Sequence, residues 1–169
     1  MRKLMIFMLL FLLVGCQKDD VTVILNPGYD IVGIDTEWTD EGCSILIDGE
    51  LQRAMTVLSN DIDLTALGEY SVVYEIEYEK EVYTCLRVVK VEDHIPPVIV
   101  LNAGIDTVFL DEEWVDAGAT ATDNIDSDLI IEVTGTVDTS IIGSYEILYI
   151  TRDSARNTTV IKRIITVIE

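Results

Sequence analysis

Histidine is almost missing from this chain: His94 is the single one in 169 residues. One imidazole excludes Ser-His-Asp and Cys-His triads and every metal site built on several histidine ligands. The Gly-x-Ser-x-Gly elbow, the phosphate loop and the zinc-protease motif are also missing. Carboxylate pairs abound, but among 31 acids no pair stands out as a glycosidase couple. The chain therefore reads as a non-enzyme. Positive charge is nearly as scarce, with 11 Lys and Arg against 31 Asp and Glu and a formal net charge of −20. The imbalance is spread along the chain, with 16 acids to 4 bases over residues 21–93 and 13 to 4 over 94–169. So negative a surface repels phosphates and anionic headgroups, which excludes nucleic acid as a partner. It leaves a bound cation, a basic partner, or simply a well-solvated exterior. Aromatics make up only 7% of residues, too few for a sugar-stacking platform of several coplanar rings. Beyond the first residues there is no amphipathic helical stretch.

What is present begins at the N-terminus with MRKLMIFMLLFLLVGC. Arg2 and Lys3 form a basic n-region, and Leu4 to Val14 is an unbroken apolar run. That run is shorter than the roughly 20 residues needed to span a bilayer, so it reads as the core of a signal peptide. Leu13-Val14-Gly15-Cys16 resembles the lipobox of bacterial lipoproteins. The resemblance implies cleavage before Cys16, which becomes the first mature residue and carries a diacylglyceryl thioether. Several acyl chains hold a protein on a membrane durably, whereas one binds marginally. The competing reading is an ordinary secretory signal with an incidental cysteine. Loss of Arg2 and Lys3 with the signal would take the net charge from −20 to −22. Cys43 and Cys85 then remain as an even pair in an oxidising place. Bridged, they would contribute about 3–4 kcal/mol; unbridged, they would be small buried hydrophobes.

The chain contains itself twice. ILNPGYDIVGIDTEWTDEG at 24–42 and VLNAGIDTVFLDEEWVDAG at 100–118 share Leu-Asn, Gly, Asp, Glu-Trp, Asp and Gly at an offset of 76. Leu67-Gly68-Glu69-Tyr70 and Tyr74 match Ile142-Gly143-Ser144-Tyr145 and Tyr149 at an offset of 75. Short runs rich in Val, Ile, Tyr and Thr, punctuated by Gly, Asp and Asn, predict strands throughout both copies. They are expected at 21–25, 31–34, 70–78 and 82–91, and again at 98–101, 107–110, 129–133, 145–151 and 158–168. Many short strands at regular spacing indicate an all-β sandwich. Gly68-x-Tyr70 and Gly143-x-Tyr145 each open a long strand, as a tyrosine corner does, or as any core tyrosine can. Asp93-His94-Ile95-Pro96-Pro97 between the copies reads as a short, semi-rigid linker. The resulting plan is a signal peptide (1–15), a lipidated tether (16–20), a divergent first domain (21–92), a proline linker (93–97) and a second domain (98–169).

PPVIVLN, EEWVDAGATATDNIDSDL, GTVDTSIIGSYEILYITRDSARNTT and the closing ITV together resemble one bacterial immunoglobulin-like repeat. It is the type found in tandem on Gram-positive surface proteins and in pesticidal crystal proteins. The likeness covers residues 96–169 well, whereas the first copy fits at its start and at its Gly-x-Tyr strand. The first copy has Ile47-Asp48-Gly49-Glu50 where the second has the acidic run 123–128, and Cys43 where the second has Ala119. The resemblance implies tandem immunoglobulin-like β-sandwiches displayed on the cell surface as adhesive, spacer or interaction modules. It implies no particular ligand.

Asp123, Asn124, Asp126 and Asp128 form the one cluster whose spacing suggests a ligand, and Asp153 and Asn157 stand on a second loop. Alternating oxygen donors can wrap Ca²⁺, which takes six to eight of them. The EF-hand pattern is not met, and Asx-turns between strands account for the same residues. Trp38 and Trp114 recur after acidic pairs, either as packing residues or as surfaces for sugar rings. Asn157-Thr158-Thr159 matches a glycosylation sequon but reads more simply as the start of a strand. The expected protein is an extracytoplasmic, membrane-anchored lipoprotein at the bacterial cell surface, facing an unknown protein, cell-wall or glycan partner. The alternative is an ion- or glycan-binding surface lipoprotein with Ca²⁺ in its second domain.

Overall fold

The computed structural model describes residues 18–169; the leader and Cys16 lie outside the described residues. Over the described part the chain is all-β. Its first half holds β1 (Val21–Leu25), β2 (Ile31–Gly33), β3 (Cys43–Ile47), β4 (Glu50–Ala54), β5 (Thr56–Asn60), β6 (Gly68–Tyr78) and β7 (Glu81–Glu92). The second half holds β8 (Val98–Leu101), β9 (Thr107–Phe109), β10 (Ala119–Thr122), β11 (Ile131–Thr134), β12 (Gly143–Arg152) and β13 (Thr158–Ile168).

Each half divides its opening segment between two sheets. In the first, β1 joins β3 and β4 in one sheet, while β2 runs parallel to β7 at the edge of a β2-β7-β6-β5 sheet. In the second, β8 pairs with β10, while β9 runs parallel to β13 in a β11-β12-β13-β9 sheet. Period-two alternation makes the layers cohere. On β6 the buried residues are Val72 and Tyr74, and on β12 they are Ile147, Tyr149 and Thr151. These face Cys43, Ile45 and Ile47 in the first half and Ile99 and Ala119 in the second, closing two separate apolar clusters. A further small cluster of Val32, Ile34, Val89 and Val91 closes the other end of the first half.

Strands β3, β4, β5 and β10 stand where the sequence pattern predicts none. β4 and β5 are exposed along their whole lengths, so neither carries the apolar alternation that reveals a strand. Asp48 and Gly49, with φ of 52° and 82°, make the turn that folds β3 back onto β4. Asp-Gly suits such a turn because two successive residues must adopt positive φ.

The Cys43–Cys85 pair is a disulfide, with Cα atoms 6.4 Å apart, joining β3 of one sheet to β7 of the other. The equivalent positions in the second half, Ala119 and Ile161, pack against that half's apolar cluster instead. Both tyrosines of the Gly-x-Tyr pairs make a tyrosine corner: Tyr70 donates to the carbonyl of Ala66 at 2.9 Å, and Tyr145 to that of Ile141 at 2.8 Å. The hydroxyl reaching back over the turn is what separates this from a mere core tyrosine.

A buried arginine organises each half. Arg87 is fully enclosed and donates to Asp30 at 2.6 Å and to the carbonyls of Asn26 and Gly42 at 2.6 and 3.0 Å. Arg163, 76 positions later, repeats this with Asp106 at 2.9 Å, the Asn102 carbonyl at 2.5 Å and the Gly118 carbonyl at 3.4 Å. Asp40 and Asp116 stand 3.8 and 4.0 Å from the Nε atoms and accept the hydroxyls of Tyr74 and Tyr149. Burial opposes the charge of Arg87, but Asp30 and then Tyr74 together more than offset it, so its pKa is raised further. Gly42 and Gly118 present their carbonyls to these arginines at φ of 69° and 74°, a conformation that disfavours any Cβ. Asn26, Asp30, Asp40 and Gly42, shared with the second copy as Asn102, Asp106, Asp116 and Gly118, thus serve an arginine.

Candidate functional site

The carboxylates that converge lie where the first half ends and the second begins. Asp93 directly follows β7, Asp123 directly follows β10, and Asp126 stands three residues on in the same loop. Strand pairing brings them together: Thr122 is opposite Val98, so the chain leaving the linker and the chain entering the acidic loop start side by side. Thr151 on β12 donates to the Ile130 carbonyl at 2.9 Å and pins the far end of that loop. One oxygen from each of Asp93, Asp123 and Asp126 lies within 4.8 Å of the other two.

The surrounding hydrogen bonds orient these groups without exhausting them. Asp123 Oδ2 accepts from the amides of Ile125 and Asp126 at 2.9 and 3.1 Å, an Asx-type turn, while its Oδ1 is buried with no partner. Asp93 is only 5% exposed; one oxygen accepts the Ile95 amide at 3.0 Å and Oδ2 is buried without a partner. Asp126 accepts the amide and the hydroxyl of Ser154, each at 2.8 Å, which seats the 153–157 turn against the acidic loop. Like unit charges at such a spacing repel by about 3 kcal/mol per pair at an effective dielectric near 20. A divalent cation between them reverses that sign. The donors are all oxygen, which suits a hard cation such as Ca²⁺ and not a soft one.

Of the residues singled out in the sequence, Asp123 and Asp126 enter this group. Asn124 and Asp128 are exposed, and Asp128 stands outside it. Asp153 is buried beside it, but its two oxygens accept the backbone amide and side-chain amide of Asn157, both at 2.7 Å. Asp153 therefore positions Asn157, which in turn donates to the carbonyls of Asp93 and Ile95 at 3.2 and 3.4 Å. Asp93 was not among the candidates, because in the sequence it is one acid among many at a linker start. The only signal for it was its place directly before His94-Ile95-Pro96-Pro97, and spacing alone gives no reason to pair it with a loop 30 residues away.

A cleft of about 600 Å³ adjoins the cluster, lined in part by Gly68, Glu69, Lys90, Glu92, His94 and Ala155. Within it Glu92 is paired, with Lys90 at 2.7 Å and His94 at 3.2 Å, which hold its carboxyl below the usual range. Trp38 and Trp114 are half-buried, pack on the apolar clusters, and donate their indole N–H to the carbonyls of Tyr29 and Ile105 at 2.9 and 2.8 Å.

Residues 104–167 match the family model described as "Bacterial surface protein, Ig-like domain". This supports the immunoglobulin-like surface-protein family for the second half and points to a location at the cell surface. No curated protein matches the sequence.

Proposed function

We propose that this protein is a lipid-anchored, non-catalytic module of the bacterial cell surface, built from two tandem immunoglobulin-like domains. The observation that carries this reading is the match of residues 104–167 to a surface immunoglobulin-like family. The repeated arginine cage and tyrosine corner support extending the same domain type to the first half. The lipobox-like Leu13-Val14-Gly15-Cys16 supports an acyl anchor at Cys16, which would fix the first domain close to the membrane on a five-residue tether. The acidic exterior keeps such a module soluble and off anionic lipid, so that it acts as a spacer, adhesive or interaction element. Its partner would be a protein, the cell wall or a glycan. Cys16→Ala should move the protein from the membrane fraction to the soluble fraction on cell fractionation. Retention of that variant on membranes would overturn the anchor.

A second reading is favoured by the converging carboxylates: the module binds Ca²⁺ in its second domain. Asp123 and Asp126 would supply ligands there.

A further inference from the structure

The geometry points to a Ca²⁺ site completed by the linker, in which Asp93 joins Asp123 and Asp126 so that the cation clamps the joint between the two halves. This rests on the second reading above and deepens it, since a site confined to the second domain would not involve Asp93. Three observations support the clamp. Asp93 is more than nine-tenths buried yet keeps Oδ2 unpartnered, and the other buried carboxylate oxygen without a partner among the described residues, Oδ1 of Asp123, belongs to the same group of three. Among the described residues no base pairs with any of the three acids, whereas neighbouring Glu92 is paired with Lys90 and His94.

The linker is also already docked on the second half. Asn157 holds the Asp93 and Ile95 carbonyls, Thr159 donates to the Pro97 carbonyl at 2.5 Å, and Pro97 is fully buried. Without a cation, repulsion among the three carboxylates works against that docking. With one, the same charges hold residue 93 to the loop 123–126. The first half, continuous with Asp93 through β7, is then fixed in direction relative to the second. Three carboxylates, each able to bind through one or two oxygens, fall within the six to eight donors of Ca²⁺, with solvent supplying the rest.

The test is calorimetric titration of the full-length, chelator-stripped protein with CaCl₂, alongside Asp93→Asn and Asp126→Asn. Wild type should bind one Ca²⁺, and each variant should bind it at least about tenfold more weakly, since affinity follows the count of charged ligands. Asp93→Asn keeps the acceptor for the Ile95 amide and removes like-charge repulsion, so in chelator it should melt no lower than wild type. Hydrogen exchange on wild type gives a readout that needs no substitution: Ca²⁺ should slow the amides of both 93–95 and 123–126. No binding by wild type up to millimolar Ca²⁺ would end the cation reading and the clamp together. Binding that Asp126→Asn abolishes but Asp93→Asn leaves intact, or protection confined to 123–126, would keep the cation reading and overturn the clamp.

Discussion

The two halves build one frame and secure it differently. The first has a disulfide between β3 and β7, and a tight Asp48-Gly49 hairpin turn joining β3 to β4. The second has Ala119 and Ile161 in apolar contact at the positions of the cysteines, and a carboxylate-bearing loop where the hairpin would be. Arginine cage, tyrosine corner and tryptophan anchor are common to both. The difference separates what this fold requires from what each copy may vary. The polar cage is required, because the long strand of each half places an arginine on its inward phase. The staple and the loop sit outside the cage and are free to diverge.

The largest expected break in the comparison is reduction. The bridge closes a loop with a sequence separation of 42 residues, for which the chain-entropy account gives about 4 kcal/mol. Dithiothreitol should lower the melting transition of the first half and leave that of the second unmoved in differential scanning calorimetry. Equal shifts in both would show that the halves do not unfold separately.

Next comes removal of the cages. Arg87→Met and Arg163→Met each strand a carboxylate and two carbonyls, at about 3 kcal/mol for a broken buried pair. Arg87→Met should cost more in urea denaturation, because its partner Asp30 is 32% exposed whereas Asp106 is 59% exposed and better screened. The reverse order would mean that the disulfide already holds the first cage in shape.

The smallest effect concerns the tyrosines on the cages. Burial, and then the hydrogen bond to Asp40, push the Tyr74 phenol to about 12; Tyr149 is raised by burial and Asp116 in the same way. A phenol raised above its unfolded value of about 10 contributes stability that is complete below pH 10 and is lost as pH rises towards 12. Tyr74→Phe and Tyr149→Phe should each cost about 1 kcal/mol at neutral pH and flatten the alkaline loss of their own half, measured by urea denaturation between pH 9 and 12.

Much of this was legible in the residues. The all-β class followed from period-two alternation, and the long strands near 70–78, 82–91, 145–151 and 158–168 lie within a few residues of β6, β7, β12 and β13. Asn26, Asp30, Asp40 and Gly42 are visible as recurrences, but their purpose is not, because Arg87 and Arg163 lie far from them along the chain and meet them only in the fold. A charged residue on the apolar phase of the last long strand, in both copies, was the missed sign. The acidic run was likewise visible at 123–128, yet Asn124 and Asp128 face outward while the buried donor comes from Asp93.

By itself the sequence determined the all-β class, the internal duplication and the acidic character. Those properties are set by composition, by periodicity and by counting, all of which act along the chain. Only the tertiary structure decided which oxygens meet. The registers of β8 with β10 and of β12 with β13 bring residues 93, 123 and 126 within one ion's reach, with residues 153–157 seated against them. Burial then left two carboxylate oxygens among them without a partner. Distances across a sandwich depend on how its sheets pair and stack, and spacing along the chain does not encode them.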